Sequence, residues 1–169
     1  MKRRDVRVAI AAALVVTVGS ACRGEGEPQL PTNAEVRNLY GPAADVLLKG
    51  NVVDVQVVQE TSQLQRGGAV WARVGPYIYL FSPPTQKLFE LFPGLAGVRV
   101  RTVDESGAWV AEALLRRGTL NSVTWKTAKL KSARARSEGT KRPSYIIDLT
   151  RYGEEQTEFK YNTKYVRTN

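Results

Sequence analysis

"NVVDVQVVQ", residues 51–59, decides the fold: it is β-branched and partly alternating, the pattern of a strand with one face turned to a core. Working outward, a polar loop ending in Gly67 and Gly68 leads to a second apolar stretch, Ala69 to Phe81, interrupted at Gly75 and Pro76. Read as extended chain, it predicts a hairpin with the first strand. Next comes "SPPTQKLFELFPG" at 82–94. Ser82 is a capping residue, proline suits the first turn, and Leu88, Phe89, Leu91 and Phe92 supply a buried face until Pro93 and Gly94 end the helix. Beyond it, Val98 and Val100 alternate with Arg99 and Arg101, "DESG" at 104–107 turns the chain, and Trp109 to Leu115 reads as the partner strand.

Upstream, from Asn33 to Lys49, Val36, Leu39, Tyr40, Ala43, Val46 and Leu47 recur at three- and four-residue spacing. This predicts a helix, kinked or split at Gly41 and Pro42 and stopped by Gly50. The order is then helix, strand, strand, helix, strand, strand. It predicts an α+β fold: an antiparallel four-stranded sheet with helices on one face, in a permuted ferredoxin-like order, followed by a C-terminal helical and extended appendage. That likeness concerns the fold and carries no function. In the appendage, "SVTWKTAKLKSARARSE" at 122–138 favours a helix by propensity although its apolar face is poorly defined. Pro143 to Tyr152 sets Tyr145, Ile146, Leu149 and Tyr152 at helical spacing; "YIIDLT" also suits a strand, and helix is preferred. Residues 157–166, "TEFKYNTKYV", read as a terminal strand or extended tail.

A chain of 169 residues, 43% hydrophobic, supplies one well-buried core. Its first 21 residues differ from the rest. Lys2, Arg3, Arg4 and Arg7 precede an uncharged run from Val8 to Val18, and Gly19, Ser20 and Ala21 lead into Cys22, the only cysteine. This is the three-part order of a secretory signal, and its apolar run is about half the ~20 residues a membrane-crossing helix needs. The junction resembles a bacterial lipoprotein signal, an aliphatic residue and two small residues before an invariant cysteine, with Gly19 here where that family prefers leucine. The resemblance implies cleavage between Ala21 and Cys22 and a diacylglyceryl group on the Cys22 sulfur. It implies nothing about the fold. A lone exported thiol has no disulfide partner within the chain, and acylation removes that liability. "RGEGEPQLPTN", residues 23–33, reads as a flexible tether. The expected organisation is a signal at 1–21, a lipidated cysteine and tether at 22–33, an α+β core at 34–117, and a basic extension at 118–169 packed on that core.

There is no histidine, which excludes Ser-His-Asp and Cys-His catalysis and the usual His-based metal sites. With Cys22 committed, no thiolate cluster remains for iron–sulfur or structural zinc, and no phosphate-cradling glycine loop appears. No cofactor, metal ligand set or catalytic residue is expected. Glu154, Glu155 and Glu158 lie close together beside Gly153, the minimum for a carboxylate-dependent hydrolase, although a solvated acidic loop has the same spacing. Trp71, Tyr77, Tyr79, Phe81 and Trp109 suit either a ligand groove or, more often, a core.

The formal charge is +9; cutting after Ala21 removes four cations and one acid and leaves +6. The whole of that excess lies between Arg116 and Arg142, the remainder being slightly acidic: Arg116, Arg117, Lys126, Lys129, Lys131, Arg134, Arg136, Lys141 and Arg142 stand against Glu138 alone. The first seven are the candidate contacts for a polyanion. The alternative for them is a solvated helix face. Export argues against nucleic acid and for an anionic envelope polymer, lipid headgroup or acidic protein. Arg23, where an aspartate would signal inner-membrane retention in the resembled family, points to the periplasmic face of the outer membrane in a Gram-negative host. The expectation is a lipid-anchored, non-enzymatic envelope protein that binds or helps assemble an envelope component. The alternatives are a small carboxylate hydrolase and a polyanion-binding module.

Overall fold

The valine-rich run forms strand β2 (Val52–Val58), with Val53, Val55 and Val57 buried and Gln56 and Val58 exposed. Successive side chains of a strand point to opposite faces, so one face of the sheet is apolar and the other wet. A computed structural model, which describes residues 29–42 and 44–165, builds five strands around this pattern in the order β1 (Asp45–Lys49), β2, β3 (Gly97–Val103), β4 (Trp109–Arg116) and β5 (Glu158–Tyr161). The helices are α1 (Asn33–Tyr40), α2 (Thr61–Leu80), α3 (Pro83–Leu91), α4 (Ser122–Glu138) and α5 (Pro143–Gln156), with a 3-10 turn at Thr163–Tyr165. Val53, Val55, Val98, Val100 and Leu115 from the sheet share a single core with Val36, Leu88, Trp125, Ile146 and Leu149 from the helices. The opposite sheet face carries ion pairs: Asp54 with Lys49 and Arg99, Glu112 with Arg101, and Glu158 with Arg116.

The α+β class agrees with the sequence; the sheet matches neither the expected four antiparallel strands nor the permuted ferredoxin-like order, since two helices separate β2 from β3 and two more precede a fifth strand. It has five strands and is mixed, because β2 and β3 run parallel while the other neighbours run antiparallel. Parallel neighbours need a long crossover, and α2 and α3 supply it. Residues 69–81, expected as a strand, are therefore mostly the second half of α2. The misreading has a physical cause. This helix packs against β3 and β4 on one side and α4 and α5 on the other, so Ala72, Val74, Tyr77 and Leu80 are all fully buried. A helix buried on two sides shows no one-sided apolar stripe, and a run rich in aromatic and β-branched residues then reads as a strand.

The helix expected over 33–49 stops at Tyr40. Gly41, at φ 89°, ends it, and Asp45–Lys49 pairs with β2 instead. The first hairpin is thus β1–β2, and Gly50, expected as a helix stop, sits at φ 60° in its turn. Ser82 does precede α3, yet its hydroxyl donates to the Tyr79 carbonyl of α2 rather than capping α3. Downstream, the β3–β4 hairpin, α3, α4, α5 and β5 lie where the sequence predicts them. Residues 118–169 supply α4, α5 and the fifth strand, and Trp125, Ala128, Ala135, Ile146 and Leu149 belong to the main core. The expected signal at 1–21, its junction Ala21–Cys22, and residues 22–28 of the tether lie outside the described residues.

Candidate binding surface

The basic segment begins where β4 leaves the sheet. Arg116 pairs with Glu158 on the wet face. Arg117 turns back over the end of α3, donating to the carbonyls of Phe89 (2.8 Å), Phe92 and Leu95, with its guanidinium 5.1 Å from the Phe89 ring centroid. Carbonyls at a helix C-terminus lack intrahelical partners and carry partial negative charge, so a cation satisfies them on both counts. Partial burial there lowers the Arg117 pKa from its ordinary value.

Asn121 opens α4, accepting from the N–H groups of Val123 and Thr124 while the Thr124 hydroxyl accepts from the Asn121 N–H. The buried stripe of this helix is Trp125, Ala128, Ser132 and Ala135, small or polar except for the tryptophan, which explains the poorly defined apolar face in the sequence. Ser132 Oγ (3.0 Å) and Arg136 Nη2 (2.9 Å) both donate to the Ile78 carbonyl at the end of α2. Arg136 also lies over the Tyr79 ring, Lys131 over Tyr152 and Arg134 over Tyr145, each within 6 Å of the ring centroid. Among the described residues, Lys126, Lys129, Lys131, Arg134 and Arg136 form no salt bridge with a carboxylate, whereas Glu138 bridges Arg142. The seven expected polyanion contacts thus divide. Arg116, Arg117 and Arg136 make intramolecular polar bonds, Lys131 and Arg134 rest on aromatic rings, and Lys126 stands exposed beside half-buried Lys129.

Arg136 and Tyr79 separate two grooves. One, of about 330 Å³, is lined by Tyr40, Phe81, Pro83, Pro84 and Lys129 among others. Its wall is a relay in which Tyr40 Oη and Thr85 Oγ1 lie 2.6 Å apart and Ser82 and Thr85 hydroxyls both serve the Tyr79 carbonyl. Burial raises the Tyr40 hydroxyl well above the ordinary phenol range, partly offset by Thr85. The other groove, of about 350 Å³, contains Gln59, Glu60, Trp71, Thr102 and Thr140. Gln59 is buried; its Nε2 donates to the Trp71 carbonyl, while Oε1 finds no hydrogen-bond partner among the described residues and lies against Gly75, where a Cβ would stand 2.7 Å away.

Of the candidate aromatics, Tyr77 and Phe81 are core, stacked at 5.8 Å between centroids, with Phe81 also lining the first groove; Tyr79 lines both grooves, Trp71 the second, and Trp109 lies partly exposed at the start of β4. The three acids have different surroundings. Glu154 is held by Arg73 in the helix layer, Glu158 by Arg116 on the wet face of the sheet, and Glu155 is exposed. Among the described residues no group of three or more Asp, Glu, His or Cys is arranged to hold a metal ion. Neither the Arg117 clasp nor the Gln59–Gly75 contact is legible in the sequence, because the partners are distant along the chain; a cation two residues before Thr119 gives no sign of binding α3.

No protein-family model, no curated protein and no solved structure matches this chain.

Proposed function

We propose that this chain is a lipid-anchored protein of the bacterial envelope, acylated on Cys22 after export, whose folded part is a non-enzymatic module that binds or helps assemble an envelope component. The observation that carries this reading is the order of cations, an uncharged apolar run and small residues ending on the chain's only cysteine. The start of the fold supports it. Thr32 and Glu35 form a reciprocal cap for α1, and the Gln29 carbonyl, seven residues after the proposed anchor, accepts from the Gly94 N–H, so the folded part is held close to Cys22 along the chain. Arg23 supports residence on the periplasmic face of the outer membrane. The test is expression of the whole chain and of Cys22→Ala with a radiolabelled fatty acid. Label in the wild type only, with the variant leaving the detergent-rich phase on Triton X-114 separation, is the expected result. An unlabelled wild-type chain in the aqueous phase would refute the proposal.

A second reading, binding of a polyanion, is favoured by Lys126 and Arg134, both exposed on α4 and both free of carboxylate partners among the described residues. It is compatible with the first and specifies which face of the module meets its partner.

A further inference from the structure

Helix α4 has an outer face that the described residues leave uncovered. Val123 is 71% exposed and Leu130 51% exposed. Seven residues apart on a helix of 3.6 residues per turn, they lie nearly in line, opposite the buried stripe of Trp125, Ala128, Ser132 and Ala135. Lys126 and Arg134 are exposed on the flanks of that line. The only acid in the helix, Glu138 in its last turn, is engaged by Arg142. Two bare aliphatic side chains framed by cations, with no free acid between them, match the boundary between anionic headgroups and acyl chains.

The direction of the anchor is the second observation. The Gln29 carbonyl is bonded to the Gly94 N–H at 3.2 Å, and the neighbouring Phe92 and Leu95 carbonyls are held by Arg117. Arg116, Arg117, Ser122 and Trp125 line one groove with Phe89, so the entry of the chain and the first turn of α4 occupy the same end of the molecule. Seven peptide links from Cys22 to Gln29 reach at most about 25 Å. A domain held that close to a bilayer meets it at high effective concentration, and a small amphipathic face then suffices.

From these observations, and resting on the lipid-anchored reading, we infer that the Val123–Leu130 face of α4, with Lys126 and Arg134, docks on an anionic lipid surface, laying the domain against the membrane that holds its anchor. The test uses the full acylated chain. Its Cys22 sulfur is blocked, so Val123→Cys, Leu130→Cys and, as a control on the wet sheet face, Gln56→Cys each offer one thiol for an environment-sensitive fluorophore. In vesicles of phosphatidylglycerol and phosphatidylethanolamine, emission from the first two should shift to the blue and that from the control should not. Adding Lys126→Ala and Arg134→Ala should lower the docked-to-free ratio by roughly 25-fold, about fivefold per cation removed, while the protein still floats with the vesicles. Phosphatidylcholine vesicles should give flotation without the shift. If the protein floats but both α4 probes stay as wet as the control, docking is refuted and the anchor stands. If wild-type Cys22 itself takes the fluorophore, the anchored reading fails and docking with it. A shift that appears in detergent without anionic lipid and grows with protein concentration would assign the face to a second copy and overturn the lipid assignment.

Discussion

Gly153 lies buried in α5 against the ring of Tyr77 in α2, and replacing it by alanine sets two known effects against each other. In an isolated helix the change stabilises by about 1 kcal/mol, because glycine is a poor helix former. Here the new Cβ would sit 2.4–2.5 Å from Cδ1, Cε1 and Cγ of Tyr77. That is about 1 Å inside ordinary carbon–carbon contact. The ring has nowhere to retreat: Tyr77 is fully buried, with ring centroids 5.8 Å from Phe81 and 5.4 Å from Phe159. Overpacking of this kind costs roughly 1–3 kcal/mol, and with no compliant side-chain end to absorb it the upper part of that range applies. The net expectation for Gly153→Ala is a loss of about 1–2 kcal/mol, seen in urea unfolding followed by circular dichroism as a lower midpoint at unchanged slope. Combining it with Tyr77→Leu should show a coupling of about 1 kcal/mol or more, since the smaller side chain relieves the clash. A Gly153→Ala variant as stable as wild type or more so, or costs that simply add, would refute the close approach of α5 to α2.

Arg117→Ala removes the donor shared by three carbonyls at the end of α3 and should cost about 2 kcal/mol, tempered by the partial exposure of the guanidinium; Arg117→Lys, with one ammonium in place of a fork, should recover only part of it, as thermal unfolding would report. Asp104 organises the β3–β4 turn, accepting from the Ser106 hydroxyl, the Tyr165 hydroxyl and the Ala108 N–H, which hold its carboxyl down to about 2. A depressed carboxylate contributes stability that is fully present above its unfolded value near 3.8 and is lost as pH falls through about 2. The amide resonances of Ser106 and Ala108 should therefore move with a midpoint near pH 2, chiefly between about pH 3 and 1, and Asp104→Asn should flatten that response. Movement centred at an ordinary carboxylate value would contradict the contact. Tyr165, whose hydroxyl is pushed up to about 12 first by its bond to Asp104, should titrate nearer an ordinary phenol in the same variant, as its ultraviolet absorbance would show.

The parts of the fold legible in the sequence were those whose burial is one-sided or whose turns are marked. Val98 and Val100 alternate with arginines because β3 has one wet face, and the "DESG" turn between β3 and β4 uses the Asp104 carboxylate as a local acceptor. The β1 strand was hidden because "DVLLK" continues the helical spacing of the residues before it; the interruption at Gly41 and Pro42 is, in the structure, the end of α1 at the positive φ of Gly41 rather than a kink within one helix. The central helix was hidden by its own burial, and with it the parallel pairing of β2 and β3. At the surface, the excess of cations over 116–142 was plain from composition. Which of them are already in use was not, because the carbonyls of Phe89 and Ile78 come from elements 28 and 58 residues away from Arg117 and Arg136.

The intact mass of the protein recovered from its native membrane tests the anchoring proposal most directly. The account predicts a chain that begins at Cys22 and is heavier than its amino acids by a diacylglyceryl group. A free sulfhydryl at that position, or a product that still carries residues 1–21, would contradict it.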